Sequence, residues 1–160
     1  MTRYFSYIFL MLTVFSCATK TAINTDTMIA ETEKKVAEID SNNQLKETLT
    51  EGALTDKKGF KDVGTFKYTV LFDEASNALF RIKNVEITDK TITETYYFSH
   101  NELIFIHSET SGVPDKKIVV QNKKVISRQH VTPEEEKLLL AKAHRFQKTF
   151  KKAIHLNNSL

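Results

Sequence analysis

The sequence predicts an α+β fold, an antiparallel β-meander of about six strands packed against a C-terminal helix, with an N-terminal helical segment and a flexible tether ahead of them. Period-two alternation of apolar residues begins after Gly64, short polar turns separate the alternating runs, and the last stretch carries an apolar stripe at helical spacing. Strands joined by such short turns pair antiparallel, because a parallel return needs a crossover of about a dozen residues or more.

Residues 29–51 are rich in helix formers, but their apolar positions, Ile29, Val36, Ile39, Leu45 and Leu49, are sparse. Ser41-Asn42-Asn43 is placed to interrupt this helix and cap a second one. So thin a stripe predicts weak packing or a spacer. A single α+β domain is expected over 60–156. In its first strand Phe66, Tyr68, Val70 and Phe72 alternate with Lys67, Thr69 and Leu71. Asp73–Asn77 is turn chemistry, and Leu79–Ile87 follows as a strand with a bulge expected near Asn84. Thr91–Phe98, Leu103–His107, Ile118–Gln121 and Val125–Gln129 complete the set, separated by Ser99–Asn101, the Ser111–Asp115 loop and Asn122-Lys123. Tyr97–Ile104 and Val119–Ile126 echo one another weakly, each with two apolar, four turn-like and two apolar residues, which predicts two similar hairpins.

The last element is the best marked. Thr132 is a natural N-cap, Pro133 suits the first helical position, and Glu135 completes a capping box. Glu134–Glu136 oppose the positive helix start, and Lys148, Lys151, Lys152 and His155 fall near its negative end. Leu139, Ala143, Phe146, Phe150 and Ile154 form one stripe, the expected cover for one face of the sheet.

The bulk numbers agree with one globular domain: 160 residues, 41% hydrophobic, 27% charged, four Gly and two Pro. Eleven Phe and five Tyr against no Trp place much of the core in aromatic packing. The net charge of +3 is too balanced for a nucleic-acid partner.

At the start, Arg3 and the terminal amine make a positive head, and Phe5–Phe15 is apolar and uncharged. A spanning helix needs roughly 20 residues, whereas a signal-peptide core needs about 7–15. Val14-Phe15-Ser16-Cys17 resembles the lipobox of bacterial lipoproteins, with its aliphatic, variable, small, cysteine order. The resemblance implies that residues 1–16 are a lipoprotein signal peptide cut between Ser16 and Cys17. It also implies a diacylglyceride on the Cys17 thiol and an acyl chain on the new amino group. Residues 17–28 would then be a lipidated tether. Two or three acyl chains suffice for stable anchoring. Cys17 is the lone cysteine, so no disulfide is expected. By the same resemblance, Ala rather than Asp at position 18 implies the outer membrane, and the lack of an acidic cluster just after Cys17 implies a face toward the periplasm rather than outside the cell.

Chemistry is sparse. Of the five histidines, none has a metal-ligand spacing with cysteine or a helical carboxylate, and neither metal nor cofactor is expected. His107 and Glu109, two apart on a strand, share a face and form the one local pair worth naming. Tyr96 and Tyr97 are adjacent, so one is expected in the core and the other exposed as a partner contact; with His107 they are the candidate contact residues. Tyr96–Ile104 is similar to a hairpin of small envelope lipoproteins built from a β-meander with flanking helices, many of them uncharacterised and from Bacteroidota-like bacteria. That similarity covers two strands and carries no binding residues.

The expectation is a membrane-anchored, non-enzymatic binding or accessory module with an envelope protein or peptide partner. The alternatives are a small envelope hydrolase, which would need His107, Glu94 and His130 to converge, or a lytic-enzyme inhibitor presenting the loop of residues 110–117.

Overall fold

The computed structural model describes residues 24–56, 58–59 and 61–157. The expected signal peptide, Ser16, Cys17 and the first part of the tether lie outside these residues. Helix α1 spans Thr25–Ser41, so the tether's last residues are already helical; Asn24 caps it by accepting the Asp26 N–H at 3.2 Å. Seven strands follow: β1 (Lys46–Thr55), β2 (Asp62–Asp73), β3 (Ala78–Ile87), β4 (Thr91–Ser99), β5 (Glu102–Thr110), β6 (Lys116–Gln121) and β7 (Lys124–Gln129). Helix α2, Pro133–Asn157, closes the described chain. The sheet is a simple antiparallel meander in chain order, as the pattern predicts.

The expected helical segment over 29–51 is corrected in its second half, which is strand β1. Leu45 and Leu49 are four apart, an even spacing that fits one face of a strand as well as a helix. Pairing with β2, from Lys46↔Phe72 to Thr55↔Asp62, decides between them. The strand lies at the sheet edge and is mostly exposed, so no burial pattern marks it in the sequence.

Both faces of the sheet are covered. Helix α2 lays Leu139, Ala143, Phe146, Phe150 and Ile154 on a core of Val70, Phe72, Leu79, Ile82, Tyr96, Phe98, Ile106, Ile118 and Val120. Phe146 packs its ring against Tyr68 and Tyr96 at 5.3 and 5.5 Å between centroids. The capping box forms as expected: Thr132 N–H donates to Glu135 Oε2 at 3.0 Å, and Glu135 N–H to Thr132 Oγ1 at 3.3 Å. On the opposite face α1 supplies Ile29, Val36 and Ile39 to a smaller cluster with Leu71, Tyr97, Phe105 and Val119.

The bulge expected near Asn84 is instead at Phe80; the register runs unbroken through Tyr68↔Asn84 and Asn84↔Glu94. Four hairpins skip one residue in their register; β1–β2 passes over exposed Val63, and the other three share one geometry. Phe80 is skipped between Leu71↔Arg81 and Phe72↔Leu79, Ile104 between Tyr97↔Phe105 and Phe98↔Leu103, and Ile126 between Val119↔Ser127 and Val120↔Val125. Each of these three turns an apolar side chain toward α1, where Phe80, Ile104 and Ile126 all join the smaller cluster. The echo between Tyr97–Ile104 and Val119–Ile126 is therefore a repeat of hairpin geometry. In both, the two turn residues have positive φ: His100 (52°) and Asn101 (60°), Asn122 (49°) and Lys123 (63°).

Candidate functional site

Two-residue hairpin turns of this hand favour Asn and Gly, because left-handed backbone costs other residues about 1–2 kcal/mol. His100 and Lys123 bear that cost side by side at one end of the sheet. Such outliers gather where geometry serves a function. The β4–β5 tip is firmly held: Asn101 Oδ1 accepts the Leu79 N–H at 3.1 Å, and the Asn101 carbonyl accepts the Gln147 side-chain amide of α2. Lys123 reaches across to Glu102 at 3.4 Å, joining the two tips.

Between these tips and α2 lies a groove of about 670 Å³. That volume falls within the range of small-ligand and peptide-side-chain pockets, about 300–1,000 Å³. Phe98, Leu103, Val120, Leu140 and Ala143 give it an apolar floor, and His100, His144, Lys123 and Lys151 stand with Glu102 on its rim. Two lysines against one glutamate leave a net charge of +1 before either imidazole is counted. His100 also lines a smaller recess of about 230 Å³ on the other side of the tip, against Met28, Thr32 and Lys35 of α1. The groove was missed in the sequence because its walls come from residues over forty positions apart. The signal that could have pointed to it is a pair of hairpin turns lacking glycine.

The residues singled out in the sequence fall elsewhere. Tyr96 and Tyr97 do face opposite sides of the sheet, but both are buried, at 0% and 7% exposure, because each face has its own helix. Neither is an exposed partner contact. Tyr96 Oη donates to Glu94 Oε2 at 2.9 Å, and burial with that carboxylate drives its pKa far above the ordinary phenolic value. Tyr97 Oη donates to Asp40 Oδ2 at 2.9 Å on α1; burial, then that bond, raises its pKa likewise.

His107, Glu94 and His130 do not converge. Glu94 is on the α2 face, where it also accepts Lys142 Nζ at 2.6 Å. His107 pairs across with Thr95, one position along, and so lies on the α1 face with Phe105. The sheet separates the two groups a shared acid–base step would need. His107 Nε2 instead lies 3.1 Å from Asp115 Oδ2, and His130 Nδ1 lies 2.9 Å from the Asp115 carbonyl oxygen.

No protein-family description, curated protein or solved structure matches this chain. No helix among the described residues is long and apolar enough to cross a membrane.

Proposed function

We propose that the protein is a lipid-anchored envelope binding module whose groove between α2 and the paired hairpin tips seats a short segment of a partner envelope protein. That segment would combine an apolar side chain with a carboxylate. The groove carries this reading: its floor of Phe98, Leu103, Leu140 and Ala143 accepts an apolar side chain, and Lys151 and His144 at its rim accept a negative charge. Anchoring rests on Val14-Phe15-Ser16-Cys17 and the apolar run before it. An outer-membrane position facing the periplasm is part of the same proposal.

Two experiments test the two halves separately. Mass spectrometry of the protein purified from membranes should find acylated Cys17 at the N-terminus, and Cys17→Ala should leave an unacylated precursor. Wild-type protein that keeps Met1 and no acyl mass would defeat the anchoring. For the groove, a photo-crosslinker at His144 should give one partner adduct in membranes, and Lys151→Glu should abolish it. An adduct indifferent to Lys151→Glu, or formed equally from a crosslinker at Lys83 in mid-sheet, would defeat the groove.

A further inference from the structure

Strand β5 places His107 and Glu109 on one face, two residues apart. The chain then turns through Ser111–Asp115, where Gly112 at φ +81° permits the tight return, and brings Asp115 back beside them. One ligand atom from each of His107, Glu109 and Asp115 lies within 4.8 Å of the other two. His107 Nε2 and Asp115 Oδ2, at 3.1 Å, are already close to the spacing of two ligands on one ion. Zinc bonds of about 2.1 Å in a tetrahedron set ligand atoms about 3.4 Å apart. The exposed Glu109 carboxylate therefore needs to move by little more than an ångström.

We propose that His107, Glu109 and Asp115 hold a divalent transition-metal ion such as zinc, in preference to manganese or calcium, at the β5–β6 loop. Several features suit that role. His107 is half-buried and packs against Phe105, so its ring direction is fixed. The Asp115 carbonyl can only accept, so His130 Nδ1 donates to it at 2.9 Å and holds the loop in place. Two carboxylates outweigh the ammonium of Lys117, the cross-strand partner of His107 on the same face. One imidazole and two carboxylates suit zinc better than calcium, which takes about 6–8 oxygens, and the later metals of the divalent series bind such sets more tightly than manganese. Three protein ligands leave a fourth position for water or a partner's side chain.

The test is calorimetric titration of the full chain in detergent with zinc chloride, carrying Cys17→Ser so that the lone thiol does not compete. One zinc per chain should bind, with manganese weaker and calcium silent. His107→Gln and Glu109→Gln should each weaken zinc by about tenfold or more, a loss that even outer-sphere partners cause. Glu74→Gln, in the β2–β3 turn at the other end of the sheet, should leave zinc binding unchanged. Glu109 is exposed, so its variant reports on the metal even if His107→Gln disturbs folding. Absence of saturable zinc binding, or zinc affinity unchanged in Glu109→Gln, would overturn the proposal. Equal affinity for calcium would do the same.

Discussion

The hydroxyl of Tyr97, in the middle of the sheet, donates to Asp40 on α1 at 2.9 Å, and the same carboxylate receives the guanidinium of Arg81. Arg81 is further held by Glu47 of β1 at 2.8 Å. These contacts join α1, the sheet centre and the edge strand. Hydrogen bonds to a charged group are worth about 1.5–3 kcal/mol. Tyr97→Phe should lower stability by about 1.5 kcal/mol in urea unfolding, and Asp40→Ala by more, since it also strips Arg81. In the double variant the two costs should fall short of their sum. Full additivity would mean that the contact contributes nothing.

Glu94 and Lys142 form an ion pair at 2.6 Å, with Glu94 nearly sealed beneath α2. Removing one partner of such a pair costs about 3–5 kcal/mol, because the remaining charge is stranded away from water. Lys142→Met should therefore destabilise strongly. Adding Glu94→Gln should recover much of the loss, since no charge is then left to solvate. A double variant as unstable as Lys142→Met alone would refute this account of the pair.

Tyr68 shows the opposite situation. Its hydroxyl is buried beside Phe146 without a hydrogen-bond partner, and burial pushes its pKa to about 12. Deleting an unsatisfied buried group removes a desolvation cost of about 1–3 kcal/mol. Tyr68→Phe should stabilise the domain by about 1 kcal/mol. The unfolded phenol ionises near pH 10 and the folded one later. The part of the wild-type stability linked to Tyr68 is thus full below pH 10 and is lost between there and about pH 12. In Tyr68→Phe that part of the alkaline decline should vanish, as thermal melts across this window would show.

At the acid end the group to watch is Glu135. Its bond to Lys116, then the Thr132 backbone N–H it caps, holds its carboxyl below the ordinary range. A depressed acid stabilises above its unfolded value and loses that effect as pH falls through the folded one. Melting temperature should fall as pH drops below about 4.3, the ordinary glutamate value. Glu135→Gln should show a shallower fall over that window, at the cost of a lower plateau near neutrality. An identical acid slope in both proteins would remove Glu135 from the account.

Helix α2 was legible in the sequence because its start is encoded locally, in Thr132, Pro133 and Glu135, and its stripe has one unambiguous period. Six of the strands were legible for the same reason. Strand β1 was not, since its identity comes from pairing with β2 and its residues stay exposed. The burial of Tyr97 was hidden by the few apolar positions of α1, which suggested an open face where there is a covered one. Of the proposed metal ligands, His107 and Glu109 were visible by their spacing, whereas Asp115 arrives only through the fold of a loop. The groove depends wholly on long-range packing.

Asn24 caps α1, and the described chain begins with it. Seven peptide units separate it from Cys17, and a fully stretched chain gains about 3.5 Å per unit. With lipid on Cys17, the domain would hang on a leash of about 25 Å at most. So tethered, it would not ferry cargo between membranes; whatever it gripped would have to come within the leash and one domain's breadth of the bilayer.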